Sequence, residues 1–170
     1  MHDWSSPDGR YQVSTDPGRL DLDMIHAFLT TSYWAVGIPR DIVERSIEHS
    51  IPFGLYSRRG DPVGGGEQVG FARVVTDRAT YGYLADVFVV EAHRGRGVGI
   101  FLIGSILEHP ELLGLRAWAL RTKDAHTLYG RFGFEVPANP ERIMFLDRKT
   151  PDIWLARGDA GSDGTSAPAT

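Results

Sequence analysis

Glycines and arginines alternate in the segment Arg94-Gly95-Arg96-Gly97-Val98-Gly99, which follows one apolar run and precedes another. A strand that leads into closely spaced glycines and then into a helix places several free backbone N–H groups at one point, together with the positive end of the helix dipole. Glycines lack a Cβ and let a ligand approach the main chain, while the arginines can supply positive charge. The segment therefore predicts a phosphate site, and we expect its ligand to be a pyrophosphate.

The spacing excludes two common nucleotide motifs. A P-loop ends in Gly-Lys-Ser/Thr, but Gly97 is followed by Val98 and Gly99. A dinucleotide-binding fingerprint would need a third glycine where Ile100 or Leu102 stands. On these residues alone, a phosphate-binding turn of another class and a tight turn without a ligand remain as alternatives.

The elements that must position this segment belong to one domain. The apolar periodicity predicts a mixed α/β (α+β) domain over residues 11–157, with residues 1–10 and 158–170 as flexible tails. The expected order is β-α-α-β-β-β-α-β-α-β-β, and a hairpin within it excludes an all-parallel sheet. The expected strands are Tyr11–Thr15, Phe53–Arg58, Gln68–Thr76, Tyr81–Val90, Leu115–Arg121, one from Phe134 and one over Arg142–Leu146. The expected helices are Asp21–Ser32, one that starts at Pro39 and is ended by Pro52, Gly95–Glu108, and one that Asp124 caps and Gly133 ends.

The composition is that of an ordinary globular protein, with 42% hydrophobic and 24% charged residues among 170. The absence of cysteine excludes disulfides, thiolate metal sites and a cysteine nucleophile. The formal net charge of −4 argues against nucleic acid or an anionic membrane as a partner. His93 and His126 lack the spacing of metal ligands, so we expect no metal. Met1 precedes no signal-peptide pattern, and we expect a cytoplasmic location.

Three parts of the sequence resemble the GNAT superfamily of N-acetyltransferases. Arg94–Gly99 is similar at every position to that family's acyl-CoA-binding motif, Arg/Gln-x-x-Gly-x-Gly/Ala. Val87–His93 resembles the strand and turn that lead into the motif, and Leu128–Phe134 resembles the family's Leu-Tyr-x-x-x-Gly-Phe signature. The resemblance covers roughly residues 11 to 147. It implies the GNAT fold and an acetyl-CoA-dependent N-acetyltransferase.

The resemblance also implies how the coenzyme binds. The strand before the motif splays from the next strand at a bulge, and the pantetheine arm pairs with its main chain in the gap. An amide-containing arm suits such an exposed strand edge. The coenzyme-binding residues implied are Val87, Phe88, Val89, Arg94, Gly95, Arg96, Gly97, Val98, Gly99 and Thr122. Ala92 and Thr122 stand where many members have proline and asparagine.

Acetyl transfer needs a proton for the leaving thiolate, a donor for the oxyanion and a base for the amine. By its matching position, Tyr129 is the implied general acid, because a phenol of pKa about 10 can donate without being ionised beforehand. The N–H of Val89 would support the oxyanion. Asp86 interrupts an apolar strand and is our candidate base, acting through a water. Glu48 and His49 are the fallback candidates.

Tyr33 and Trp34 are candidates for the wall of the acceptor site, with ordinary core packing as the alternative. We expect acetyl-CoA as the acyl donor and a primary amine as the acceptor, and a homodimer is compatible with this interpretation. Two alternatives stay open: an acyl-CoA-binding sensor or regulatory module without catalysis, and transfer of another acyl group. The motif contacts only the coenzyme phosphates, so the sequence identifies neither the acceptor nor the acyl chain.

Overall fold

The computed structural model describes residues 1–59, 65–146 and 154, and its centre is one mixed β-sheet. The strands are β1 (Asp3–Ser5), β2 (Tyr11–Ser14), β3 (Ile51–Ser57), β4 (Glu67–Thr76), β5 (Tyr81–Val89) and β6 (Ala117–Leu120). The helices are α1 (Leu22–Thr31), α2 (Arg40–Glu48), α3 (Val98–Leu107) and α4 (His126–Gly130). Short 3-10 turns lie at Pro17–Arg19, Glu91–His93, Pro110–Leu112 and Pro140–Arg142.

The strands lie side by side in chain order, from β1 to β6. Each neighbouring pair from β1 to β5 is antiparallel, whereas β5 and β6 are parallel. A parallel pair needs a crossover connection, and α3 lies in the connection from β5 to β6. The chain therefore leaves the end of β5 through the Arg94–Gly99 segment and enters α3 directly.

The sheet has a separate core on each face, because alternate residues of a strand point to opposite sides. On one face, Val74 and Leu84 pack in the cluster that contains Leu102 and Ile106 of α3. On the other face, α1 and α2 cover Phe71 and Phe88. The ring of Phe88 stacks on Phe28 of α1, with 3.8 Å between centroids. Both layers hold β5 rigidly along the length that leads to the glycine-rich segment.

A β-bulge interrupts β5 in its middle. Phe71 pairs with Phe88 and Arg73 pairs with Ala85, so two residues of β5 lie opposite the single residue Ala72. One of these two is Asp86, whose φ of 53° is in the left-handed region. A bulge bends its strand and ends regular pairing nearby.

The parallel pairing of β5 with β6 stops just before the bulge. Leu84 and Leu120 form the last pair, and no described strand pairs with residues 85–89 of β5 on that side. We call the space beside residues 85–89 the β5 gap. It lies between the bulge and the glycine-rich segment.

The predicted fold class is confirmed, and the predicted order of elements is confirmed from β2 through α4. The two last strands were wrong: residues 134–146 contain a 3-10 turn and no strand. Pro137 lies in the strand expected from Phe134 and cannot donate to a ladder, whereas the strand expected over Arg142–Leu146 contains no proline and its residues are exposed. The structure also pairs Asp3–Ser5 with β2, within residues that we expected to form a flexible tail. The expected tail 158–170 lies outside the described residues.

Two predicted boundaries also differ. Pro52 does not end α2, which stops at Glu48, but lies inside β3. The pairing of β2 with β3 ends at Gly54, before it reaches Pro52. Pro52 has no N–H, and none is needed there for a hydrogen bond to β2. Asp124 does not cap α4, because the N-cap is Ala125 and no side chain caps the helix; the Thr122 hydroxyl accepts a hydrogen bond from the N–H of Ala125 at 3.0 Å.

Candidate functional site

The segment between β5 and α3 has the conformation that its glycines permit. Gly95 and Gly97 have φ of 74° and 76°, which residues with a Cβ rarely adopt. Gly97 is the N-cap of α3, and its carbonyl accepts from the N–H of Phe101 at 3.0 Å. A Cβ at either glycine would have no atom within 4 Å. These two glycines therefore shape an open surface over the α3 N-terminus, where free N–H groups favour an anion.

Gly99 has a different role from its two neighbours. A Cβ there would contact the Leu128 side chain of α4 at 3.7 Å. The third glycine of the motif thus lies where α3 and α4 approach each other.

The main chain of β5 presents polar groups to the β5 gap. The N–H of Val90 donates to the Val69 carbonyl on β4 at 2.9 Å. Successive residues of a strand point their N–H and C=O groups to opposite sides, so those of Val89 point away from β4. The Val89 carbonyl accepts from Arg94 Nε at 2.7 Å. The Val89 N–H is left facing the gap, next to the bulge that contains Val87.

Tyr129 lies on α4, and its side chain is buried in the core between the sheet and α3. Its ring meets Phe134 edge to face, with centroids 5.9 Å apart. Burial is the main cause that raises the pKa of the Tyr129 phenol to about 12, with smaller contributions from Tyr33 and Asp124. The phenol is therefore protonated at every physiological pH, and no other described residue takes its hydroxyl as a hydrogen-bond partner.

Tyr33 and Trp34 lie in the connection between α1 and α2 and are partly exposed. Their rings meet edge to face at 4.9 Å between centroids. The Tyr33 hydroxyl accepts from the N–H of Lys123, which precedes α4, at 3.1 Å. The α1–α2 connection is thereby joined to the segment that carries Tyr129.

Asp86 lies in the bulge with only 10% of its side chain exposed. One carboxylate oxygen lies 2.5 Å from Arg73 Nε on β4, and the other accepts from Trp34 Nε1 at 3.2 Å. The sequence analysis did not identify Arg73, which has no motif around it. Only the pairing of β4 with β5 places the two charges together.

Glu48 and His49 lie at the exposed C-terminal end of α2. In the part of the chain that the structure describes, neither side chain forms a hydrogen bond or an ion pair. No hydrogen bond or ion pair among the described residues joins them to Asp86, Tyr33 or Trp34. Their exposure is that of a solvated helix end.

Two cavities lie against the glycine-rich segment, on the side of β5 away from β6. The larger, of about 420 Å³, is lined by Arg10, Arg58, Arg59, His93 and Arg96 among others. The second, of about 400 Å³, reaches Gly97, Val98 and Phe101 at the start of α3. Of these arginines, only Arg96 belongs to the sequence motif.

Residues 1–59, 65–146 and 154 contain no group of three or more histidine, aspartate or glutamate side chains that could hold a metal ion. None of their helices has both the length and the apolar character needed to cross a membrane.

Comparison with known proteins gives consistent matches. Residues 56–136 match the family model described as the acetyltransferase (GNAT) domain. A protein of Gibberella zeae that carries a provisional acetyltransferase name is 37% identical over 139 residues, covering 72% of this chain and 77% of that protein. A solved Xanthomonas campestris protein, described provisionally as a GNAT-family acetyltransferase, is 43% identical, with a TM-score of 0.75 over 85% of this chain and 96% of that one. Glucosamine-6-phosphate N-acetyltransferase from Arabidopsis thaliana shares the fold at 13% identity, with a TM-score of 0.56 over 82% of this chain and 98% of that enzyme.

Proposed function

Because this chain belongs to the GNAT acetyltransferase family, we propose that it transfers the acetyl group of acetyl-CoA to a primary amine by direct attack on the thioester. The observation that carries the proposal is the β5 gap. An open strand edge lies there between a bulge and an anion-binding helix N-terminus, and it has the length and polarity to hold an extended amide-containing arm.

The coenzyme is held mainly by backbone. Its pyrophosphate lies on the N–H groups around Gly95 and Gly97, and its pantetheine arm runs along the main chain of Val87, Phe88 and Val89. Arg94 supports the arm indirectly, because its Nε bond to the Val89 carbonyl fixes the end of the strand. The Thr122 hydroxyl accepts from Ala125 and still has its own proton to donate to the coenzyme.

In the reaction, the amine nitrogen forms a bond to the thioester carbonyl carbon, and the C–S bond breaks. The Val89 N–H is a fixed donor for the negative charge that develops on the carbonyl oxygen. The departing thiolate takes a proton from Tyr129, and the amine loses one proton to solvent or to a base. The free hydroxyl of Tyr129 and its persistent protonation support its assignment as the acid.

Asp86 is the proposed base, acting through a water on the incoming ammonium. Its place in the bulge, beside Trp34, puts it at the acceptor end of the β5 gap. Its contact with Arg73 supports a second role, since an ion-paired carboxylate also fixes the bulge that opens the gap. The two roles differ in their pH dependence, which provides their test.

The direct test is a thiol-release assay with the purified chain, acetyl-CoA and a panel of primary amines, with products identified by mass spectrometry. We expect turnover with at least one amine and none with the matched alcohols. Propionyl-CoA and longer acyl-CoAs in the same assay define the acyl chain. Tight coenzyme binding without turnover on any acceptor would contradict the proposal and favour a binding module.

A further inference from the structure

The larger cavity beside the glycine-rich segment has an unusual wall. It is lined by four arginines, Arg10, Arg58, Arg59 and Arg96, and by His93. Asp8 is the one acidic side chain among the described residues that line it. The chain as a whole has a formal net charge of −4, so this concentration of positive charge is local.

Asp8 does not neutralise the cavity, because it is already paired with Arg10. Its carboxylate accepts from Arg10 Nε at 2.7 Å and from the Ser6 hydroxyl at 2.7 Å. These bonds, with that from Ser6 the largest cause, lower the pKa of Asp8 to about 2. Among the described residues, no carboxylate forms an ion pair with Arg58, Arg59 or Arg96 on this wall.

Arg58 has a buried side-chain donor without an acceptor among the described residues. Its Nε is buried and has no hydrogen-bond partner, while one of its terminal nitrogens donates to Gln12 at 3.3 Å. Within the described residues, neither the Arg59 nor the Arg96 side chain forms a hydrogen bond or an ion pair. A buried guanidinium N–H without an acceptor is costly, and an anion in the cavity would supply one.

The cavity is also shaped before any ligand enters. The Tyr11 hydroxyl lies 3.0 Å from His93 Nδ1, which fixes the imidazole on the wall. The second cavity shares Arg10, Tyr11 and Arg96 with the first and extends to Gly97 and Val98. The basic wall is thus continuous with the anion site at the start of α3.

From these contacts we propose that Arg58, Arg59 and Arg96 form a second anion site, specific for a phosphate monoester, beside the pyrophosphate site. The planar guanidinium groups suit the oxygens of a phosphate dianion. Two sources can supply this group. It is either the 3′-phosphate of the bound coenzyme, a source that rests on the proposed function, or the phosphate of a separate ligand.

Calorimetry on the full chain separates the sources. Acetyl-CoA and 3′-dephospho-acetyl-CoA are titrated into the wild type, Arg58→Gln and Arg59→Gln. If the coenzyme fills the site, we expect each variant to lose roughly tenfold in affinity for acetyl-CoA and none for the dephospho form. If a separate ligand fills it, inorganic phosphate binds to protein saturated with coenzyme A, and the variants weaken that binding instead.

The matched control is Arg116→Gln. It removes the same charge from an exposed position just before β6, whose first residue pairs with Tyr81 at the far end of β5. Arg59→Lys should keep part of the affinity because it keeps the charge. Arg59 is exposed, so its variants remain informative if Arg58→Gln does not fold.

The proposal is overturned if both arginine variants bind acetyl-CoA, its dephospho form and inorganic phosphate as the wild type and Arg116→Gln do. Inorganic phosphate titrated into the protein without coenzyme tests the cavity even if no coenzyme binds. Failure of this site is therefore distinct from failure of the proposed acetyl transfer.

Discussion

Arg73 Nε on β4 lies 2.5 Å from Asp86 Oδ2 on β5, and this ion pair spans the bulge that ends the pairing of β5 with β6. Trp34 donates to the other carboxylate oxygen from the α1–α2 connection. The side chains of the pair are only 18% and 10% exposed, so solvent screens the two charges weakly. Asp86 therefore joins the sheet to the helical layer where the reacting groups are proposed to meet.

Asp86→Asn tests the assignment of the base. Asparagine keeps the size of aspartate and tolerates the left-handed backbone at this position, while it cannot accept a proton. We expect turnover to fall most at low pH, where the amine is protonated, and least at high pH, where free amine is present. The measurement is kcat/KM against pH, with thermal melting to verify folding.

Arg73→Gln is the comparison for that variant, because it breaks the same ion pair and leaves the carboxylate. If Asp86 is the base, the Arg73→Gln profile keeps the wild-type shape whereas that of Asp86→Asn changes. If the pH profiles of kcat/KM for both variants are parallel to that of the wild type, Asp86 is not the base and only stabilises the bulge.

Tyr129→Phe removes only the proposed acid. We expect kcat to fall roughly 10²- to 10⁴-fold under chemistry-limited conditions, since this is the range for a positioned general acid. Acetyl-CoA affinity should stay near the wild-type value. Tyr56→Phe is the matched control, because Tyr56 is also buried with its pKa raised to about 12 and is remote from α4 along the sheet. Near-normal turnover of Tyr129→Phe would return this residue to a packing role.

Gly97→Ala tests the anion site at the start of α3. The φ of 76° strains any residue with a Cβ by about 1–2 kcal/mol, and the added methyl group points into the open space proposed for the pyrophosphate. We expect calorimetry to show loss of acetyl-CoA binding by a folded protein. Gly114→Ala is the matched control, because Gly114 also has a positive φ, of 87°, and a Cβ there would have no atom within 4 Å. Gly114 lies just before β6, outside the glycine-rich segment. Equal binding by the two variants would exclude the assignment of Gly97.

Buried tyrosines make the stability of the fold sensitive to high pH. Burial is the main cause that raises the pKa of Tyr56 to about 12, above the ordinary value of 10. Above pH 10 the unfolded chain loses this proton first, so the free energy of unfolding falls as pH rises from about 10 to about 12 and is unaffected below about 9. Urea denaturation of wild type and Tyr56→Phe at pH 8 and pH 11 measures the effect.

We expect Tyr56→Phe to lose about 1.4 kcal/mol less stability than the wild type between those two pH values, because pH 11 lies one unit above the ordinary pKa of 10 and below the folded pKa of about 12. At pH 8 the variant should be at least as stable, because the Tyr56 hydroxyl is buried and has no hydrogen-bond partner. Identical losses in both proteins would show that Tyr56 does not titrate in the unfolding transition.

The sequence by itself determined the elements with strong local signals. The apolar strand that ends in alternating glycines predicted the phosphate segment, because positive φ at Gly95 and Gly97 and a following helix are local properties. Periodicity also located the sheet strands from β2 to β6 and the four helices. It failed over residues 134–146, because Pro137 cannot donate to a ladder and the apolar residues 143–146 are exposed and pair with no described strand.

Only the tertiary structure decided which distant residues share a site. Strand register places Arg73 against Asp86, and the end of pairing at Leu84 opens the β5 gap. Neither has a local signal, because register depends on the whole sheet. Arg58 and Arg96 likewise line one cavity only because the end of β3 lies near the end of β5. Local chemistry therefore predicted the conformation of the glycine-rich segment, whereas long-range pairing assembled the charges around it.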